Sequence, residues 1–512
     1  MISDMNESLI LQLAIVLPLL TSALIIATGK NPNVREGVTI VSALVLIYFV
    51  FNLYSAFSND PNQVISALWW ELIPGLTISF KVEALGVLFA LIASFLWLVT
   101  TSYAIGYMRG HGEKNQTRFY CCFAVAIAAV MGIAFSANLF TLFIFYEVLT
   151  LSTYPLVTHA GTEKAKKSGR VYLGILLTTS ILFLLSAIVS TWVVAGSVEF
   201  TAGGVFSPDV DKTIAGVLLV LFVFGVGKAA IMPFHRWLPA AMVAPTPVSA
   251  LLHAVAVVKA GVFTILKVCV FIFGIDLLPS LATTDFLLYL AAATVLLSSI
   301  VAMRQDNLKL RLAYSTVSQL GYVTIGALLA SESAAIGSAL HIAAHAFGKI
   351  TLFFCAGAIL VSLHKSNISE MRGIGRQMPI TMAAFFIASL SIIGVPPAVG
   401  TWSKWFLLMG SIETEHYIIM SVLMISSLLN IAYLIPIPFH AFFPNGFTNK
   451  GEAEDSAISD VQSNSQIKEA PLPSLIAIVI TATGCIALFI YPQPLYELAT
   501  AMLETRAVNY AE

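Results

Sequence analysis

Charge is what this sequence has least of. Asp, Glu, Lys and Arg make up 10% of its 512 residues, against 58% hydrophobic ones, where a water-soluble domain carries about a quarter charged. That shortage excludes an ordinary soluble domain and makes lipid the main solvent. No basic tract is present and the net charge is −1, so nucleic acid is not an expected partner. The five cysteines, Cys121, Cys122, Cys269, Cys355 and Cys485, form no C-x-x-C. A zinc or iron–sulfur site is therefore not expected, and the thiols read as inert packing groups. A nucleotide fingerprint and a haem-attachment motif are also lacking, so the chain is expected to hold no cofactor and to be no enzyme by itself. The start, MISDMNES, is acidic rather than basic, which argues against a cleavable leader.

What is present is a series of about fourteen apolar segments, near 8–29, 37–57, 84–107, 118–135, 138–158, 172–195, 213–233, 247–271, 285–303, 310–330, 333–362, 377–410, 416–443 and 472–491. Backbone groups cannot stay unpaired in hydrocarbon, so each segment is expected to be a helix. The gaps test the count. Taken alternately, they place 18 of the 26 Lys and Arg on one side and four on the other, with four more inside segments. This is the positive-inside pattern, and it predicts both termini outside. The polar stretch 444–471 reads as a mobile cytoplasmic loop.

Two segments contain breaks. The seventh carries Lys228 just before Pro233, with Pro239, Pro245 and Pro247 following. The twelfth carries Gly394, Pro396, Pro397 and Gly400 ahead of Lys404. Proline frees backbone carbonyls, which a water-lined cavity can receive. Two broken helices, each with one lysine, fit an inverted repeat, although proline kinks also occur without one. The expected fold is an all-α polytopic membrane protein with broken helices 7 and 12. Its divisions are N-terminal helices (1–117), a first five-helix repeat (118–271), an inverted second (285–443), the loop (444–471) and a last helix with its tail (472–512).

Charges inside spans are costly and usually mark an ion or proton path. Here they are Glu147, Lys228, Lys259, Lys349 and Lys404. If Glu147 and Lys228 pair, the carboxylate favours the ammonium while burial favours the amine. A lysine balanced in that way can load and release a proton. A static ion pair that locks two helices is the alternative. On the eleventh segment His341, His345 and Lys349 recur every four residues, which puts them on one helix face where imidazoles can relay protons to a lysine. His253 and Lys259, six apart, point in different directions; Lys259 is expected toward the bundle axis and His253 toward the seventh segment, with simple packing as the alternative for His253. Water is expected to bridge the gaps between helices. Tyr314, Ser315, Thr316, Ser318 and Gln319 either line a half-channel or join helices by hydrogen bonds. Glu71 and Glu83 are expected at the outer interface, in reach of water.

The stretch MPFHRWLPAAMVAPTPVSALLHAVAVVKAGVF (232–263) resembles the antiporter-like subunits of Mrp-type cation/proton antiporters and of respiratory complex I. FYEVLTLSTYPL, DNLKLRLAYSTVSQLGY, HAFGKITLFF and GVPPAVGTWSKWFLL extend the resemblance, in order, over almost the whole chain. It implies fourteen helices in two inverted five-helix repeats. It also implies that Glu147 and Lys228 form the paired fifth- and seventh-helix charges, that Lys259 is the eighth-helix relay, and that His345 and Lys349 are the eleventh-helix relay. Lys404 then stands at the terminal twelfth-helix position. With SSLLNIAYLIPI downstream, that lysine looks most like the D subunit of Mrp antiporters. GTWSKW, where a Gly-Phe pair is usual, and Glu83, where aspartate is common, depart from the pattern. The long C-terminal lateral helix of the largest complex I subunit is not expected.

The resemblance implies a proton-translocating subunit of a multisubunit Na⁺/H⁺ antiporter in a bacterial cytoplasmic membrane, with other subunits as partners and protons and Na⁺ as the ions moved. A proton-pumping subunit of a redox-driven complex is the alternative, and a scaffold knitted by buried charges is a third reading. No acidic cage for Na⁺ is evident within the spans.

Overall fold

The structure, a computed structural model, describes residues 2–60, 63–444 and 466–504. The expected cytoplasmic loop at 444–471 falls mostly on 445–465, outside the described residues.

The chain enters through α1 (Ile2–Ala27) and returns through α2 (Pro32–Asn59). A hairpin of β1 (Ser66–Ile73) and β2 (Leu76–Lys81) follows, antiparallel, with Ser66 opposite Lys81 and Gly75 turning the chain. Ser8 donates to the Ser66 carbonyl, so the first helix begins on the same face as the hairpin. The sequence reading gave this stretch no structure. It is the one exception to an all-helical fold among the described residues.

Next come α3 (Ala84–Gly110), α4 (Gln116–Ala134), α5 (Leu139–Val157), α6 (Glu163–Ala195) and α7 (Lys212–Gly225). Asn138, Thr162 and Asp211 cap α5, α6 and α7 by accepting a backbone N–H each, as short polar side chains do at helix starts. The second half holds α8 (Thr246–Phe273), α9 (Ala282–Met303), α10 (Leu308–Leu328) and α11 (Glu332–Leu363). It continues with α12 (Pro379–Ile393), α13 (Gly400–Glu413), α14 (Tyr417–Phe442), α15 (Leu472–Ile490) and α16 (Gln493–Glu504). The last helix lies where only a tail was expected, and it buries Leu498, Ala499 and Met502.

Among the described residues, eleven helices are long and apolar enough to cross a membrane, and α7 and α12 are shorter apolar helices. With the more polar α10 this accounts for the expected fourteen crossings. Successive crossings alternate in direction, α12 and α13 together making one. Counting them from the hairpin face, α7 enters from that face and breaks, whereas α12 enters from the opposite face and breaks. The two broken helices are therefore inverted with respect to each other.

Burial sorts the helices. The apolar window of α8 is wholly buried, and those of α3 and α11 are 83% and 78% buried. Those of α1, α2, α6 and α15 are only about a third buried or less, which places these helices at the rim. At the face opposite the hairpin, Glu36 is clamped by Arg109, which donates Nε to one oxygen and Nη2 to the other, and by Arg35 at 3.2 Å. Arg35 and Glu36 are buried there, beneath α4.

Candidate proton path

The break in α7 begins where Gly225 ends the helix. Gly227–Ala229 makes one tight turn, and Ala230 adopts a positive φ of 56°. A left-handed residue other than glycine is strained, and strain of this kind gathers at functional sites. The turn aims Lys228 inward. Gly261 of α8 packs against it: a Cβ there would lie 2.4 Å from the carbonyl carbon of Lys228, so only glycine lets the two backbones approach. Lys228 is fully buried. Its Nζ donates to the Tyr146 carbonyl at 2.9 Å and to Thr150 Oγ1 at 2.6 Å, over the Tyr146 ring.

Glu147 sits one residue along the same helix, α5. Both carboxylate oxygens are shielded from solvent and have no hydrogen-bond partner among the described residues. The expected pair is thus unlatched: Lys228 Nζ donates to neutral acceptors on α5, and Glu147 on the same helix takes no part in those bonds.

Lys259 on α8 and His345 on α11 meet directly, Nζ to Nδ1. Water was expected to bridge every inter-helix gap; this one is closed by a hydrogen bond. An ammonium that donates to Nδ1 fixes the imidazole hydrogen on Nε2, and that nitrogen has no partner among the described residues. The His345 ring stacks on His341 at 6.1 Å, and His341 on Tyr322 at 5.5 Å. Nδ1 of His341 is 2.9 Å from Ser403 Oγ. Above the other edge of this stack, Lys404 Nζ stands 4.6 Å from the centre of the Tyr322 ring. It donates to the Ile393 carbonyl and to Ser427 Oγ, both at 2.9 Å. Gly394 ends α12 at φ +87° exactly beside the Lys404 stem, where a Cβ would fall 2.4 Å from its Cδ.

The histidine–lysine stripe of α11 therefore divides. His341 and His345 join Lys259 to Lys404, whereas Lys349 turns to α10, donating to Ser315 Oγ at 2.6 Å. Tyr433 of α14 donates to the same Ser315 at 2.8 Å and also contacts Asn430 Oδ1. His253 lies against the Phe353 ring of α11 at 4.7 Å, and neither of its ring nitrogens has a partner among the described residues. The polar run on α10 is mixed. Ser315 serves Lys349, Ser318 bonds Ser299 and Ser426 across helices, and Gln319 is buried with its amide unpartnered among the described residues.

Tyr146, Thr150, Tyr322, Ser427, Asn430 and Tyr433 were not singled out for this role by sequence reasoning. Their signal was a hydroxyl or amide inside an apolar helix, which sequence alone cannot aim. Lys267 was counted with the loops and Glu83 with the water interface. Lys267 is corrected: it is fully buried within α8 and stands 3.1 Å from the carboxylate of Glu83, which is 11% exposed at the hairpin face. Among the described residues no group of three or more His, Cys, Asp or Glu could hold a metal ion.

Known proteins share this frame. Residues 136–430, which contain all five charges, match the family model described as NADH:quinone oxidoreductase/Mrp antiporter, transmembrane. NADH-quinone oxidoreductase subunit N of Desulforudis audaxviator is 32% identical over 403 residues, 78% of this chain and 79% of that one. The chloroplastic NAD(P)H-quinone oxidoreductase subunit 5 of Amborella trichopoda is 29% identical, and this chain spans 56% of its length. Among solved structures, a chain of the Mrp complex from Dietzia sp. DQ12-45-1b superposes with TM-score 0.82 at 21% identity, covering 99% of this chain and 98% of that one. A chain of the archaeal membrane-bound sulfane sulfur reductase gives 0.83 at 19% identity, covering 97% of each.

Proposed function

The chain belongs to the transmembrane family shared by NADH:quinone oxidoreductase and Mrp antiporters, and on that premise we propose that it is the proton-translocating subunit of a multisubunit monovalent cation (Na⁺)/H⁺ antiporter. The observation that carries this reading is the line Lys259, His345, His341, Tyr322, Lys404, in which each group touches or stacks on the next. All these side chains are buried. Burial in a medium of low dielectric favours the neutral amine, while a hydrogen-bond acceptor at each Nζ favours the ammonium. Each lysine can therefore hold a proton or give it up. Glu147 and Lys228 form the gate: closing the gap between them adds an anion beside the ammonium and draws a proton to Lys228, and reopening it releases that proton toward Lys259.

The two repeats, 118–271 and 285–443, each supply part of this line. The remaining parts of the proposal are a bacterial cytoplasmic membrane, both termini outside, and partner subunits that complete the Na⁺ path. Lysine at 404, followed by SSLLNIAYLIPI, favours the antiporter assignment. The names of the relatives favour a second reading, a proton-pumping subunit of a redox-driven complex, in which electron transfer resides in partners.

Purification of the native complex in mild detergent through a tag on this chain, with its subunits read by mass spectrometry, separates the two. Small membrane proteins and a larger antiporter-like chain are expected. Flavin and iron–sulfur subunits in the same particle would replace the antiporter with the redox-driven pump.

A further inference from the structure

We propose that the ion pair of Lys267 and Glu83 is a proton-exchange station at the hairpin face, through which the axis trades protons with the water on that side. The proposal rests on the reading of Lys259 as a proton carrier. Lys259 and Lys267 lie on one unbroken α-helical stretch, Val257–Val268. Eight residues separate them, about 12 Å along the helix, toward the face where the hairpin stands. Thr264 lies between them in sequence, buried, its hydroxyl donating to the Ala260 carbonyl.

The station is built from four elements. Lys267 Nζ donates to the Ser136 carbonyl at 2.7 Å and stands 3.1 Å from Glu83 Oε2, over the Phe200 ring at 4.1 Å. The other Glu83 oxygen is 3.6 Å from Lys81 Nζ at the end of the hairpin. Side-chain exposure rises in steps along this line, from 0% at Lys267 through 11% at Glu83 to 39% at Lys81. That gradient leads from the helix core to solvent. Glu83, Lys81 and Glu199 are the charged groups that act on Lys267. Glu199 accepts a hydrogen bond from Asn138 Nδ2 at 3.1 Å, and burial lifts its carboxyl above the ordinary carboxylate range. Asn138 also caps α5, the helix of Glu147, so the cluster touches both helices that carry the first charges of the axis.

A fixed staple between helices has no use for a group that can lose its charge, and Arg109 on Glu36 shows how this chain builds one. A lysine with one carboxylate partner can cycle. A proton from the hairpin-side water joins the Lys267 amine and makes an ammonium beside the Glu83 carboxylate. The same proton then leaves toward Lys259 and restores the amine; the reverse order releases it.

The test uses the complete complex in liposomes, with proton movement followed by a pH dye while the pH on the hairpin side and on the opposite side is varied separately. Glu83→Gln removes the anion that stabilises the ammonium. The pH of half-maximal rate on the hairpin side should move toward acid by about one unit or more, with no change on the opposite side. Lys267→Met should cut the rate about tenfold or more, and Glu83→Asp should restore the hairpin-side profile. A staple would respond otherwise: its loss lowers the amount of folded complex without a side-specific pH shift, and that result overturns the proposal. So does a wild-type rate and profile in both Glu83→Gln and Lys267→Met. Lys259→Met is the control. If it leaves the flux intact, the reading of the axis fails; if it stops the flux while Glu83→Gln changes nothing, only the exchange station fails.

Discussion

At the face opposite the hairpin, the Glu36 carboxylate is held by two guanidiniums. On the axis, Lys228, Lys349 and Lys404 rest on carbonyls and hydroxyls, and Lys259 rests on an imidazole. Both regions bury charge, and they do it with opposite chemistry. Arginine keeps its proton throughout the accessible pH range and binds a carboxylate through a planar fork, so the Glu36 cluster is permanently charged and permanently bonded. A lysine on neutral acceptors keeps its hydrogen-bond network when it becomes an amine. The first region fixes three helices, α2, α3 and α4, in place. The second can change charge without coming apart, which is what a proton path requires.

The sharpest break in this comparison comes from the axis. Lys259→Met removes the direct link to His345, and proton movement by the reconstituted complex should fall by about 100-fold or more while the complex assembles normally. Glu147→Ala should likewise abolish exchange with assembly intact, because the gate loses its anion. Normal exchange in Glu147→Ala would sink the gate. In the fixed region the expectation reverses. Glu36→Gln leaves the buried Arg35 and the half-exposed Arg109 without their carboxylate; breaking a fully buried pair costs about 3–5 kcal/mol, and solvent at Arg109 makes the loss here smaller. Thermal unfolding in detergent should show that loss, and the flux per folded complex should stay near wild type.

The crossings were readable from the sequence because hydropathy alone dictates them, and the five charges stood out because nothing around them is polar. The partners were not readable. His341, His345 and Lys349 do share a face, yet the long lysine reaches Ser315 on α10 while His345 meets α8; helix rotation and tilt decide that, and neither is written in a four-residue spacing. Lys267 was misplaced because it lies near the end of its segment, where a count of loop charges absorbs it. The hairpin had a signal, Pro74 and Gly75 between two runs of apolar and β-branched residues, overshadowed by the search for helices.

A smaller effect is expected at the Lys349 branch. Tyr433→Phe removes a hydroxyl that holds Ser315, the acceptor of Lys349. One such hydrogen bond is worth about 1 kcal/mol, so the flux should fall about fivefold, with assembly unchanged. Serine replaced at the same junction, Ser315→Ala, should produce a loss of the same size or larger, since it takes the acceptor itself; a wild-type rate in both variants would remove this branch from the path.

The smallest effect belongs to a carboxylate outside the membrane, and it extends the contrast between fixed and movable charge to the loops. Asp306, between α9 and α10, accepts from the Ser369 backbone N–H at 3.0 Å and from its hydroxyl at 2.8 Å. Those hydrogen bonds favour the ionised form and hold its carboxyl below the ordinary range. Because the folded value is the lower one, the stabilisation is complete above the unfolded value of about 3.9 and is lost as the pH falls through the folded value. Asp306→Asn keeps an acceptor for Ser369 but cannot titrate. Thermal unfolding in detergent between about pH 2 and pH 5 should therefore show a slightly shallower acid-side decline in the variant than in the wild type. The exposed position keeps the difference small. Identical acid-side slopes would mean that the Asp306 bonds to Ser369 tie the two loops no more tightly when charged than when neutral.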